Sequence, residues 1–266
     1  MLIEVRGLTK TFGGIHAVEG VDFEIHEGEI TAIIGPNGAG KSTVFNLLCG
    51  FHKPSGGQVM FRGKDITGNK PHVTSKAGIA RTFQTTKLFE QNTIVENVLA
   101  GCAAQTSSTL LGAVLRTPRF RREERESMEK TLELLDFVSI ADYKDEIAGN
   151  APQEVQKRAA VALALATNPS LLLLDEPAAG ITEEETTRFG ELIRKISSSG
   201  ITVALVEHKM SLIMSLADRI LVLERGRRIA WGTPDDVRDD PQVIAAYLGT
   251  DSSDTSTTVD TPSTEG

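Results

Sequence analysis

The chain has 266 residues, enough to bury a full hydrophobic core in one large domain or in a domain with a subdomain. Its formal net charge of −8 disfavours nucleic acid as the main ligand, because binding by counterion release needs a basic surface. No apolar run approaches the roughly 20 residues of a membrane helix and the N-terminus lacks a signal-peptide pattern, so we expect a soluble, cytosolic protein.

The N-terminal part of the chain predicts three strands. Residues 2–6 and 21–25 have the composition of strands, and the apolar run Ile30–Ile34 is a third. We expect these three strands to build one N-terminal layer.

A glycine-rich loop follows directly after the third strand. The residues there are Gly35-Pro36-Asn37-Gly38-Ala39-Gly40-Lys41-Ser42-Thr43, and they match the phosphate-binding pattern G-x-x-x-x-G-K-[ST] at every fixed position. Its glycines let backbone N–H groups approach a phosphate, and a helix that begins near Lys41 adds the positive end of its dipole. Lys41 would bind the outer phosphates and Ser42 would coordinate Mg²⁺. A glycine-rich turn with a surface lysine is the alternative, which the flanking strand and helix disfavour.

Phe12 lies upstream of this loop, next to Gly13 and Gly14. An aromatic residue on a glycine-flanked bend is, in isolation, more typical of a small core anchor. Its proximity to a nucleotide-binding loop makes stacking on adenine the alternative.

The middle of the chain changes from mixed signals to mainly helical ones. A short strand ends at Phe61, and another covers residues 78–83, with Gln84 directly after it. Residues 93–104 and 123–137 carry apolar side chains at helical spacing. We therefore expect a helical block from about residue 88 to 166, inserted in an α/β frame, and such a block is a candidate surface for partners.

Two later apolar runs end in polar residues that suit phosphate chemistry. Four leucines precede Asp175 and Glu176, which is typical of a buried parallel strand whose end emerges at a crevice. There Asp175 would bind Mg²⁺ and Glu176 would orient or deprotonate a water, unless this is only an exposed acidic turn. The run Ile201–Val206 predicts a second buried strand, followed closely by His208. A lone histidine there is usually structural, but at the same sheet edge it would reach a terminal phosphate.

The C-terminal part predicts a hairpin around Gly226 and two short helices that end by Gly249. The acidic, Ser/Thr-rich residues 250–266 are expected to be disordered. Cys49 and Cys102 lack metal-type spacing, so we expect buried free thiols.

Together these motifs resemble the ATP-binding subunits of ABC transporters, over residues 2 to about 249. The loop 35–43 matches that family's Walker A motif, Gln84 its Q-loop, residues 171–176 its Walker B motif, and His208 its switch histidine. The LivG-like branch, which belongs to branched-chain amino-acid importers, has similar phrases at Arg81-Thr82-Phe83-Gln84, Glu96-Asn97-Val98-Leu99-Ala100-Gly101, Ala166-Thr167-Asn168-Pro169 and Asp175-Glu176-Pro177-Ala178-Ala179-Gly180.

The resemblance implies the fold class and the chemistry. It implies an α/β P-loop NTPase domain of the ABC type over residues 1–249, with a RecA-like parallel-sheet core, an N-terminal antiparallel β layer and the inserted helical subdomain. It implies an ATPase that uses ATP and Mg²⁺. The implied catalytic residues are Glu176, His208, Gln84 and Lys41, the implied metal ligands are Ser42, Gln84 and Asp175, and the implied nucleotide contacts are Phe12, Val18 and residues 35–43.

The resemblance also implies partners and a location. In this family two cassettes enclose ATP, and hydrolysis moves transmembrane permease subunits, which we expect to dock on the helical subdomain. A solute-binding protein would take part indirectly, nucleic acid would not, and the subunit would lie at the cytoplasmic face of the cell membrane.

One segment departs from the family's pattern. The family signature, close to Leu-Ser-Gly-Gly-Gln or, in the LivG-like branch, Leu-Pro-Tyr-Gly-Gln, falls by its spacing on Ala151-Pro152-Gln153-Glu154-Val155, which has neither the serine nor the second glycine. Because the signature faces the γ-phosphate held by the other subunit, Glu154 would bring a carboxylate near an anion and a Cβ where close approach is needed. Leu163 and Thr182 also replace residues that are usual in the family.

This departure leaves two hypotheses. The first is an importer ATPase, paired in a heterodimer, favoured over a homodimer, with a related subunit whose signature is intact. The second is a non-transport or regulatory ATP-binding module with slow turnover. A DNA-repair ATPase of the same superfamily would need a long coiled coil between the Walker motifs, and the sequence predicts none.

Overall fold

The computed structural model describes residues 1–82, 88–103 and 117–248. Gln84 and the tail 250–266 lie outside these residues, so their predictions stay predictions. The strands, in chain order, are β1 (Ile3–Phe12), β2 (Ile15–Ile25), β3 (Ile30–Ile34), β4 (Gly56–Phe61), β5 (Lys64–Asp65), β6 (Ile79–Arg81), β7 (Leu171–Asp175), β8 (Thr202–Val206), β9 (Arg219–Glu224) and β10 (Arg227–Gly232). The α-helices are α1 (Lys41–Leu48), α2 (Pro71–Ala77), α3 (Ile94–Ala103), α4 (Pro118–Phe137), α5 (Gln153–Leu165), α6 (Glu183–Ser198), α7 (Met210–Leu216), α8 (Pro234–Arg238) and α9 (Pro241–Leu248).

The strands form two sheets, which confirms the predicted α/β class. One is antiparallel, in the order β2-β1-β4-β5, and the other has the order β10-β9-β3-β8-β7-β6. Within the second sheet β9, β3, β8, β7 and β6 run parallel, and β10 is antiparallel to β9. The placement of β3 in the N-terminal layer was wrong, because β3 lies inside the parallel sheet. All five of its residues are buried, which requires a strand covered on both faces.

The parallel sheet separates two hydrophobic cores. Along β7, Leu171 and Leu173 face the core beneath the antiparallel sheet, whereas Leu172 and Leu174 face the core beneath the helices. In β8, Ala204 likewise packs in the first of these two cores. Because both faces of these strands are buried, their sequences are continuous apolar runs and do not alternate between apolar and polar residues.

The first two strands are longer than the sequence predicted, and together they form a hairpin. β1 and β2 extend to a two-residue turn of Gly13 and Gly14, which have φ angles of 50° and 91°. A hairpin turn with two positive φ angles follows the right-handed twist of the strands, and glycine adopts it without a steric penalty. Phe12 and Ile15 are therefore paired strand ends instead of parts of a bend.

The helical region is described for three helices, α3, α4 and α5, which pack on one another. Gly101 in α3 makes this contact close, since a Cβ there would lie 2.8 Å from the carbonyl oxygen of Leu163. The helices predicted over 93–104 and 123–137 are confirmed, and α4 begins earlier, at Pro118, with Thr117 as its cap. In the described part of the chain, no helix is long and apolar enough to span a bilayer.

Candidate functional site

The glycine-rich loop connects β3 to α1 at the carboxyl edge of the parallel sheet. Two of its glycines have positive φ angles and are closely packed, with values of 148° for Gly35 and 101° for Gly40. A Cβ on Gly35 would lie 2.0 Å from the carbonyl oxygen of Leu223, and one on Gly40 would lie 2.4 Å from that of Ala17. Only glycine fits at these positions, so the backbone itself forms the surface of the loop.

Lys41 is folded back over this loop. Its ammonium donates to the carbonyl oxygens of Gly35 at 2.7 Å and Pro36 at 2.9 Å, and the residue is only 6% exposed. Burial lowers the Lys41 pKa from its ordinary value, and the charges of Asp175 and Glu176 oppose this effect. Among the residues that the structure describes, no side chain caps the start of α1. The loop thus presents a cation and a helix N-terminus at one place, as an anion site requires.

Asp175 lies at the end of β7 and is 4% exposed. Its Oδ2 accepts a hydrogen bond of 2.6 Å from Arg81, and the same guanidinium donates to Oδ1 of Asn46, also at 2.6 Å. Because Arg81 ends β6 and Asn46 lies in α1, this buried ion pair joins three elements around the loop. It fixes the carboxylate in one orientation.

The donor atoms at this edge fit Mg²⁺. Oδ1 of Asp175 is buried and has no hydrogen-bond partner among the described residues, although the other carboxylate oxygen is occupied by Arg81. Ser42, which offers a hydroxyl, is exposed at the start of α1. A carboxylate and a hydroxyl are hard oxygen ligands of the kind that Mg²⁺ prefers.

Glu176 and His208 meet at the next position of the same edge. β7 and β8 are parallel neighbours, and Oε1 of Glu176 lies 3.1 Å from Nε2 of His208. Glu176 has a φ angle of 48°, a left-handed conformation that is strained for a residue with a side chain. Its backbone N–H still donates to the carbonyl oxygen of Val206 at 2.9 Å. This hydrogen bond to β8 stabilises the strained conformation. The structure therefore places His208 beside Glu176, at the sheet edge that also carries Asp175.

Phe12 and Val18, the two nucleotide contacts predicted outside the glycine-rich loop, have different environments. Phe12 is 40% exposed, with its ring edge-on to His52 and the Lys10 ammonium 4.8 Å from its centroid. It is not a core anchor, and stacking on adenine stays a prediction. Val18 is completely buried and packs beneath Gly40, and the nucleotide contact predicted for Val18 stays a prediction. Its side chain supports the loop from below.

The signature segment is the first turn of α5 together with the residues before it. Pro152 is the N-cap of α5, and Glu154 is not an isolated carboxylate. Oε1 of Glu154 accepts from Arg158 at 2.8 Å, and Oε2 accepts from Arg188 of α6 at 3.3 Å. The repulsion expected from the sequence neglected these two arginines. Arg188 also pairs with Glu184, so the connected group contains two carboxylates and two guanidiniums and has no net formal charge.

The two other departures have structural roles. Leu163 packs against α3 at Gly101. Thr182 caps α6, accepting from the backbone of Glu185, whose carboxylate bonds the N–H of Thr182 in return. This capping box is visible in the sequence as Thr-x-x-Glu.

Sequence reasoning missed the residues that support the site from behind. They give weak signals, since each is a single polar residue at a strand end or within a helix. Tyr247 of α9 is one, and its hydroxyl accepts from the backbone of Gly35, while burial raises its pKa. The described residues that hydrogen-bond to the site residues or to the segments that carry them are Asn46, Arg81, Lys157, Glu207 and Tyr247.

Comparison with known proteins identifies the class. Residues 18–179 match the family model described as ABC transporter, and residues 227–252 match the one described as branched-chain amino acid ATP-binding cassette transporter. The chain belongs to the ABC transporter ATP-binding family.

Among its relatives is the high-affinity branched-chain amino acid transport ATP-binding protein BraF of Pseudomonas aeruginosa, which is 43% identical over 249 residues, covering 93% of this chain and 98% of BraF. LivG of Escherichia coli K12, described in the same words, is 40% identical with the same coverage.

Solved structures of ATP-binding cassettes are similar as well. A cassette of an ABC transporter in its ADP conformation has a TM-score of 0.82 and 32% identity, covering 93% of this chain and 98% of its own. A bacterial ABC transporter cassette in a dimeric structure has a TM-score of 0.75 and 25% identity, covering 88% and 99%.

Proposed function

We propose that this chain is the ATP-binding and ATP-hydrolysing subunit of an importer for branched-chain amino acids or a related small polar solute. The observation that carries the proposal is the pairing of Glu176 with His208 at 3.1 Å, on the sheet edge that also holds Lys41 and Asp175. The names of the relatives, which match over nearly their whole length, support the solute class.

The roles of the residues follow from their positions. Lys41 and the N–H groups of loop 35–43 would bind the β- and γ-phosphates of ATP. Ser42 and Asp175, with Gln84, would hold Mg²⁺, which neutralises phosphate charge when bound. Glu176 would accept a proton from the attacking water, and His208 would orient Glu176 and contact the γ-phosphate. ATP hydrolysis would need no covalent intermediate.

The partners follow from the family and from the location of the helices. ABC cassettes dimerise and act with permease subunits, and the structure of a dimeric bacterial cassette supports a dimer here. We place the permease contact on the helical subdomain, residues 88–166, inserted in the domain 1–249. The subunit would be peripheral, at the cytoplasmic face of the membrane, and a solute-binding protein would act only through the permease.

Within the dimer we favour a heterodimer. Glu154 stands where the family's signature has its second glycine, so a side chain occupies a position at which the backbone must approach the γ-phosphate closely. A related subunit with an intact signature would complete the site built on Lys41 and Glu176.

Glu176→Gln tests the function directly. The amide keeps the size and the hydrogen bond to His208 but removes the base, so ATP binding should persist while turnover falls on the order of 10²-fold or more. Turnover is measured as phosphate release by the assembled complex, and binding by calorimetry. Wild-type turnover in this variant would show that Glu176 is not the base.

The second candidate is a regulatory ATP-binding module with slow turnover, which the altered segment 151–155 favours. Copurification of the tagged chain with membrane subunits would support the importer. Isolation as a soluble protein that binds ATP but does not hydrolyse it would support the module.

A further inference from the structure

Glu207 is a buried carboxylate next to the site to which neither the motifs nor the family comparison gives a role. It follows β8 directly and is 3% exposed. Its Oε1 accepts from the backbone N–H of Ala178 at 2.7 Å, and its Oε2 accepts from the N–H of His208 at 2.7 Å and of Lys209 at 3.2 Å. One side chain therefore bonds both segments that carry the reacting groups.

The two segments depend on such a connection because they end on neighbouring strands. Ala178 lies two residues after Glu176, in the turn that follows β7. Glu176 itself has a strained φ angle of 48°. His208 is held through its own backbone N–H. Lys209 adds a second link, since its ammonium donates to Ile181 at 3.1 Å and to Thr186 at 2.6 Å.

A lysine of α5 also acts electrostatically on this part of the site. Lys157 of α5 is 8% exposed, and its ammonium donates to the backbone oxygen of Glu176 at 3.5 Å. Burial lowers the Lys157 pKa, and the negative charges of Glu207 and Glu176 counteract this effect. A buried anion with three N–H donors and a nearby cation is a stable arrangement, whereas either charge alone would be unfavourable.

We propose that Glu207 is a positioning residue for ATP hydrolysis, which fixes the distance between Glu176 and His208 by accepting hydrogen bonds from the backbone of both segments. The proposal rests on the proposed ATPase function and extends it to a residue that acts through Glu176 and His208. Since the Walker A loop is not part of the connection, ATP affinity should be independent of Glu207.

Glu207→Gln tests this in the full-length chain and in the complex that copurifies with it. The amide has only one acceptor oxygen, so Ala178 or His208 must lose its bond. We expect kcat to fall about tenfold or more, with ATP affinity within about twofold of wild type. Hydrogen exchange at residues 177–180 and 207–209 should become faster. Glu27→Gln is the matched control, because Glu27 is exposed and pairs only with Arg62 among the described residues.

Two further variants separate positioning from charge and from folding. Glu207→Asp keeps the charge but is too short to reach both segments, so it should resemble Glu207→Gln. The double variant Glu207→Gln with Lys157→Met removes both buried charges, and it should fold even where the single variant unfolds. Its kcat should stay about tenfold low.

Unchanged exchange in Glu207→Gln, or wild-type kcat in the folded double variant, would overturn the proposal. If the wild-type complex does not hydrolyse ATP, the proposed function fails, whereas the exchange measurement still decides whether Glu207 connects the two segments.

Discussion

At the scale of single residues, the feature of the site best suited to phosphate is a buried lysine. Burial disfavours the charged form of Lys41, and the nearby carboxylates favour it. The Lys41 ammonium is bonded to two carbonyl oxygens of its own loop, and its pKa is lowered because it is buried. Bound phosphates would offer this cation full negative charges in place of neutral carbonyls. Exchange of these partners makes nucleotide binding favourable.

Lys41→Ala should therefore weaken ATP binding at least tenfold, about 1.4 kcal/mol. The affinity of the wild-type chain should also decrease with rising pH, and the decrease should begin below the pH at which an ordinary lysine loses its proton, because burial lowers the Lys41 pKa. Calorimetry measures both. Lys64→Ala, at an exposed lysine of β5, is the control. Equal affinities of the two variants would contradict the assignment of the phosphate site.

At the scale of elements, the first turn of α5 is tied to α6 through Glu154. The carboxylate is 16% exposed, and it pairs with Arg158 on its own helix and with Arg188 on the next one. The Arg158 guanidinium also donates to the carbonyl oxygen of Val138, after the end of α4. The altered signature is thus a junction of three helices.

Glu154→Gln should destabilise the fold, because it leaves Arg158 buried without its anion. We expect a loss of about 1–3 kcal/mol in the free energy of unfolding. Glu184→Gln is the matched control: Glu184 also pairs with Arg188, but it is 82% exposed, and its loss should cost less than about 1 kcal/mol. Urea denaturation measures both variants. Equal stabilities would mean that the junction contributes nothing.

The sequence predicted the elements with strong local signals and missed those set by distant contacts. The buried strands β7 and β8 and the loop 35–43 were predictable, because apolar runs and glycine spacing are local patterns. The sheet to which β3 belongs was not, since strand neighbours are chosen by packing over the whole chain. The environment of Glu154 depends on Arg188, 34 residues away, and Glu207 depends on Ala178, 29 residues away. Such pairs leave no periodic signal.

At the scale of the whole molecule, the C-terminal part is connected to the nucleotide site. The matched region 227–252 includes α9, and Tyr247 in α9 is bonded to the backbone of Gly35. A cavity of about 190 Å³ between α9 and the loop is lined by Asn37 and Ala246, among others. The segment typical of the branched-chain amino acid cassettes therefore packs on the phosphate-binding loop.

In the proposed heterodimer, only one of the two ATP sites would be complete. In a head-to-tail dimer, each ATP lies between the Walker A loop of one subunit and the signature of the other. With a partner that has an intact signature, the site at Lys41 and Glu176 is complete. The other site faces residues 151–155, which lack the serine and the second glycine. The two sites should therefore hydrolyse ATP at different rates.

This asymmetry can be measured with the same substitution in each subunit. Glu176→Gln in this chain should remove most of the turnover of the complex, on the order of 10²-fold, because it disables the complete site. The equivalent glutamate-to-glutamine change in the partner subunit should reduce turnover by less than about twofold, because that site contributes little. Phosphate release is measured for both complexes at saturating ATP. Equal losses would contradict the asymmetric heterodimer, and a purified homodimer of this chain that hydrolyses ATP rapidly would show that residues 151–155 form a competent signature.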